Sequence, residues 1–101
     1  MSHLAENITI TNIEFVPVKP KSGLLGFVGF ILNGWLYCAS VAVYSRLNGN
    51  LRLVYPTVNS NGQQFPTFYP TDREIAQKIE QAVTNKVERL LRLSEPQEEW
   101  Q

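Results

Sequence analysis

From Ile8 to Phe15 apolar residues alternate with polar ones in two runs, Ile8/Ile10 and Ile13/Phe15, and the phase slips by one residue at Thr11-Asn12. Period-two alternation predicts a half-buried strand over Ile8 to Val18, and the slip predicts a β-bulge. Pro17 and Pro20 cannot donate to a ladder, so this strand belongs at a sheet edge or ends there. Lys19 to Gly23 follows as a loop. The next stretch, GLLGFVGFILNGWLYCASVAVY from Gly23 to Tyr44, carries no charge. Its length alone suits a membrane span, and the lysines ahead of it resemble the basic flank of a secretion signal. The middle of the stretch argues otherwise. Asn33-Gly34 is the strongest short signal for a two-residue type I′ turn, in which both central residues need positive φ. Phe27, Val28, Phe30 and Ile31 before it, and Trp35, Tyr37, Val41 and Val43 after it, suit strands. A spanning helix would bury Asn33, Ser40 and several glycines, and a lipoprotein signal would not place bulky Tyr37 before Cys38. The expectation is a hairpin, with no membrane span.

Beyond it, Leu47-Asn48-Gly49-Asn50 forms a second turn leading to a short strand, Leu51 to Tyr55. Thr57 to Gln64 reads as a polar loop with turn chemistry at Asn61-Gly62, and Phe65 to Tyr69 as an extended piece interrupted by Pro66. A helix opens at Pro70-Thr71-Asp72-Arg73-Glu74, where Thr71 as N-cap and Glu74 three residues on make a capping box. Ile75, Ile79, Ala82, Val83, Val87, Leu90 and Leu91 recur at helical spacing as one apolar stripe. The helix frays near Leu93, and Pro96 prevents its continuation. The organisation is a flexible N-terminus over 1–7, one domain over 8–93 and an acidic tail over 94–101.

The expected fold class is therefore α+β: an antiparallel β-meander of about five strands with one C-terminal amphipathic helix. Both faces of the strand after Asn33-Gly34 are apolar, Trp35/Tyr37/Ala39/Val41/Val43 on one and Leu36/Cys38/Ser40/Ala42/Tyr44 on the other. One helix covers one face, so the other needs a second layer that a chain of 101 residues does not supply. We expect a homodimer through sheet faces or edges, with Trp35, Tyr37, Val41 and Val43 at its interface. A barrel-like curl of the sheet is the alternative.

Composition, 44% hydrophobic and 18% charged, is that of a folded domain. The zero net charge conceals a body of about +3 and a tail of −3 from Glu95, Glu98 and Glu99, a weak basic footprint for a polyanion partner. A lone cysteine rules out an internal disulfide, and a reducing cytoplasm is the expected location; Cys38 reads as a small buried hydrophobe. Catalytic groups are sparse. His3 is the single histidine, no buried carboxylate pair is visible, and the glycines of GLLGFVG fit no phosphate-binding motif. We expect no enzyme, metal or cofactor; those glycines suit strand bending or close backbone approach. Lys86, Arg89 and Arg92 step along the helix, as cations favoured near its C-terminus or as a partial basic stripe. Asn59, Ser60, Asn61, Gln63 and Gln64 beside Tyr55, Phe65, Phe68 and Tyr69 are an ordinary surface loop over aromatics or a site for stacked nucleotides.

The succession from Ile10-Thr11-Asn12-Ile13, through the hairpin, to LNGNLRLVYP (47–56), Tyr69-Pro70 and EIAQKIEQAV (74–83) resembles the stage V sporulation protein G family of septation regulators. The resemblance covers roughly residues 8–88. It implies a small sheet with a C-terminal helix, a bacterial homodimer, and DNA or RNA binding linked to gene regulation. The family's basic pair after the strand-ending proline falls on Val58 and Asn59 here, a further arginine on Pro66 and another on Ala76. Phosphate contacts dominate nucleic-acid affinity, so these exchanges remove charge from one surface. Two expectations follow. One is a nucleic-acid-binding regulator using Arg52, Arg73, Lys78 and the loop amides of Asn59 and Asn61. The other is a dimeric protein-interaction module that contacts a protein partner through its neutral loop.

Overall fold

A computed structural model of the chain describes residues 4–94; His3 and the acidic tail lie outside them. The architecture is α+β: a four-stranded antiparallel sheet, a separate two-stranded ribbon and one C-terminal helix. The large sheet is a meander in the order β1 (Ile10–Lys21), β2 (Leu24–Leu32), β3 (Leu36–Ser45) and β4 (Leu51–Val54). The uncharged stretch is thus two paired strands, and no helix among the described residues is long and apolar enough to cross a membrane. The helix, α1 (Arg73–Ser94), lies on one face of the sheet. Leu4–Asn7, expected to be loose, form a 3-10 turn against α1.

Each turn follows from residues that tolerate positive φ. Ser22 and Gly23 (φ 53° and 89°) close β1 onto β2 with Lys21 paired to Leu24, so the expected loop at 19–23 is mostly strand. Asn33 and Gly34 (φ 54° and 76°) begin the next turn, but Leu32 pairs with Leu36, so Trp35 is included and the loop has three residues. Asn33 is held from outside: its backbone N–H donates to the Thr9 carbonyl and its side-chain oxygen accepts from the Thr9 N–H, both at 2.8 Å. The bulge at Thr11-Asn12 is present, with Asn12 at φ 54° and a register shift between Thr11 and Glu14. As expected, β1 is an edge strand, and Pro17 and Pro20 lie in it.

The polar segment expected as a loop is instead a hairpin. β5 (Thr57–Ser60) and β6 (Gln63–Pro66) pair across Asn61-Gly62, whose φ values are 54° and 80°. Short polar strands lack the apolar alternation that announces a strand. Thr67 closes the ribbon's base, its N–H and its hydroxyl each donating to the Pro56 carbonyl at 3.0 Å.

The core lies between α1 and one sheet face: Val28, Phe30, Cys38, Val41 and Val43 pack against Ile79, Val83 and Val87, with Ile8 from the segment before β1. The cap of α1 is Asp72, one residue later than the expected Thr71; its carboxylate accepts from the Ile75 N–H at 3.0 Å and its carbonyl from the Ala76 N–H at 2.9 Å. Asp72→Ala is expected to cost about 1 kcal/mol, read as a lower urea midpoint at unchanged slope, while Thr71→Ala leaves the midpoint in place.

Candidate functional site

Among the described residues no layer covers the face of the sheet opposite α1. The register puts Glu14 and Val16 of β1, Phe27 and Gly29 of β2, Tyr37, Ala42 and Tyr44 of β3, and Arg52 and Val54 of β4 there. Val16 is 64% exposed, Tyr37 61% and Phe27 39%. Val16, Phe27, Gly29 and Tyr37 share a shallow depression in this surface. At the β4 side the Arg52 guanidinium lies 5.2 Å from the centre of the Tyr44 ring, a cation–π contact. Charge on this face is sparse, Glu14 and Lys21 on β1 and Arg52 on β4. A contiguous, mostly apolar, aromatic sheet face with little charge has the composition of an interface core.

The sheet edges are less available than the face. β1 carries Pro17 and Pro20, which interrupt its donors. On β4 the Leu53 N–H donates to the Glu80 carboxylate of α1 at 3.2 Å, so a helix side chain occupies an outward donor of that edge. Glu80 also lies 3.9 Å from Arg46, a half-exposed pair that contributes little to stability.

The four residues expected at a dimer interface separate. Tyr37 is on the open face and Trp35 is exposed at the hairpin tip, but Val41 and Val43 are fully buried beneath α1. The reason is a second bulge: Phe30 pairs with Cys38 and Val28 with Val41, so two steps on β2 match three on β3, and Ser40 takes φ 64°. One inserted residue reverses the alternation, sending Val41 and Val43 to the core with Cys38 and turning Ala42 and Tyr44 outward. Val16, Phe27 and Tyr44 were missed because their facing depends on cross-strand register. The signals available in sequence were the prolines of β1 and the out-of-phase apolar run at Ala39-Ser40-Val41.

The candidate nucleic-acid residues do not converge either. Arg52 lies on the open face, whereas Arg73 and Lys78 are on α1, which packs against the opposite face. Lys78 is half-buried and engaged, and Arg73 is exposed at the helix start. Asn59 and Asn61 are on the ribbon, which carries no charged residue over 57–66 and whose residues are all exposed. Val58 and Phe65 face each other across it, both exposed. Burial pushes the Cys38 thiol up, so it stays protonated in the core as expected. Among the described residues no group of His, Cys, Asp or Glu is arranged to hold a metal ion. No protein-family model matches the chain, and comparison with characterised proteins finds no match. The resemblance to the sporulation regulators therefore rests on the residues at 10–13, 47–56, 69–70 and 74–83 alone.

Proposed function

We propose that this chain is a non-catalytic protein-interaction module of the cytoplasm that works as a homodimer, two copies meeting through their open sheet faces and leaving the neutral β5–β6 ribbons to contact a protein partner. The observation that carries this reading is the uncovered apolar face, with Val16, Phe27 and Tyr37 exposed while both sheet edges are obstructed. A face-to-face pair supplies the missing layer by isologous contact, each patch meeting its own copy. An isolated two-stranded ribbon is marginal in water, and one whose Val58 and Phe65 remain exposed gains stability from a surface to rest on.

A second reading has its own support. Tyr44 under Arg52, with Phe27 and, toward the other end of β3, Tyr37 on the same face of a four-stranded sheet, resembles a platform on which single-stranded bases stack. It accords with the sporulation-regulator resemblance and would make the chain a regulator that binds RNA or single-stranded DNA. Against it stands the sparse positive charge of that face, where the register places Lys21 and Arg52.

Sedimentation velocity at micromolar concentration separates the two. The dimer reading predicts a species of twice the 11.5 kDa chain mass and no change in the anisotropy of a labelled single-stranded RNA at low salt. A monomer that binds the RNA and releases it as salt rises would replace the dimer reading with the nucleic-acid one. A monomer that leaves the RNA free would remove both.

A further inference from the structure

Three Asn-Gly pairs punctuate the chain, Asn33-Gly34, Asn48-Gly49 and Asn61-Gly62, each in an exposed turn. A glycine after asparagine permits a reaction between backbone and side chain. The glycine nitrogen, with no Cβ beside it, can reach the Cγ of the asparagine amide. That approach needs a free side chain and a backbone able to rotate. All three pairs are exposed, so what distinguishes them is what holds them.

Asn33 is held twice by Thr9, whose N–H donates to its side-chain oxygen and whose carbonyl accepts from its N–H, both at 2.8 Å. Its turn joins two strands of the core sheet. The Asn48 side-chain oxygen accepts from the Asn50 N–H at 3.0 Å, and the attacking group there, the Gly49 N–H, donates to the Arg46 carbonyl at 2.9 Å. Among the described residues neither the Asn61 side chain nor the Gly62 N–H has a hydrogen-bond partner. Asn61 also stands at the tip of the β5–β6 ribbon, which pairs with no third strand and whose residues are all exposed. A two-stranded ribbon outside the core sheet opens at lower cost than a turn anchored in it.

We propose that Asn61 is a site of spontaneous covalent modification, deamidation through a cyclic imide, which turns the neutral ribbon acidic as the protein ages. Hydroxide takes the Gly62 amide proton, the nitrogen bonds to the Asn61 Cγ, and the Cγ–Nδ2 bond breaks with release of ammonia. Water then opens the imide. Cleavage at the Cγ–N bond leaves aspartate, and cleavage at the backbone C–N bond leaves isoaspartate; either way a water is consumed and an ammonia lost. Both products place a carboxylate on a ribbon that carries no charge over 57–66. Aspartate tolerates the left-handed conformation of Asn61, at φ 54°, so the turn survives it. Isoaspartate routes the chain through its own side-chain carbon and lengthens the backbone by a methylene. The two-residue turn then no longer aligns Ser60 with Gln63. The reaction itself is independent of any partner; its effect on one rests on the reading of the ribbon as a contact surface.

The test is incubation of the full chain at mildly alkaline pH, native and in guanidinium chloride, followed by proteolysis at acidic pH and mass spectrometry of the peptides that hold each pair. In the native chain Asn61 is expected to deamidate about tenfold faster than Asn33 or Asn48, since only the latter two must first break hydrogen bonds. In guanidinium chloride the three rates should converge, because the unfolded pairs share one chemistry. Isoaspartyl chains, separated by reversed-phase chromatography and refolded, should lose the nuclear Overhauser contact between Val58 and Phe65, and aspartyl chains should keep it. Asn33 or Asn48 reacting as fast as Asn61 in the native chain would overturn the proposal, as would an Asn61 that stays intact in the native chain. The same tenfold order persisting in guanidinium chloride would also overturn it, by showing that the fold does not set the rates. Retention of the Val58–Phe65 contact in isoaspartyl chains would overturn the predicted loss of pairing.

Discussion

Gly26→Ala is expected to destabilise the protein by about 3 kcal/mol, whereas Gly29→Ala, three residues along the same strand, costs under about 1 kcal/mol. Both glycines sit in β2, and both would present a new methyl group to a close neighbour. At Gly26 that neighbour is the Val16 carbonyl oxygen, with the Phe15 ring 2.7 Å away. Val16 and Pro17 pair with Phe27 and Gly26, so the carbonyl cannot retreat without separating β1 from β2, and Phe15 is held by its packing on the core. At Gly29 the neighbour is the Tyr37 hydroxyl at 2.7 Å, the far end of a side chain on the open face that can swing outward. Urea midpoints of the two variants, compared at equal slope, measure the difference. Equal costs would mean that the β1–β2 pairing yields more readily than the register implies.

The second large effect concerns assembly. In the proposed homodimer, Phe27→Glu and Tyr37→Glu, made together, are expected to raise the dissociation constant by at least about a hundredfold, equivalent to roughly 3 kcal/mol. Symmetry gives the effect its size, since each substitution enters the interface twice and brings like charges toward each other across the two-fold axis. Both side chains are substantially exposed in the single chain, so the folded protomer should survive with its circular dichroism spectrum intact. Val58→Glu on the ribbon, equally exposed but away from the sheet face, should leave dimerisation unchanged. Loss of the dimer in the ribbon variant and not in the face variant would transfer the interface to β5–β6.

Much of this architecture is legible in the residues because local chemistry dictates it. Asn33-Gly34, Leu47 to Asn50 and the slip at Thr11-Asn12 each announce a backbone conformation that the structure contains. The stripe from Ile75 to Leu91 likewise identifies the buried side of α1, and uncharged Gly23 to Tyr44 resolves into two paired strands because Asn-Gly divides it. What escaped depends on partners distant in sequence. The bulge at Ser40 is set by pairing with β2, and without it Val41 and Val43 fall on the wrong face. The ribbon at 57–66 escaped because Asn, Ser and Gln resemble loop residues, and only cross-strand pairing makes them strands. The helix cap falls on Asp72 and not Thr71 because adjacent residues both have capping side chains, and the sequence alone does not choose between them.

The most direct test of the proposed homodimer through the open sheet face is the relaxation of methyl protons by an inert, water-soluble paramagnetic agent, recorded at a concentration where the dimer would be populated. In a single chain the Val16 methyls, at 64% exposure, are at least as accessible as those of Val58 at 53%. The homodimer predicts the reverse: Val16 shielded together with Val54, and Val58 on the free ribbon still strongly relaxed. Dilution should then restore the relaxation at Val16. Val16 methyls relaxed as strongly as those of Val58 at every concentration would contradict the account and leave the open face to a different partner.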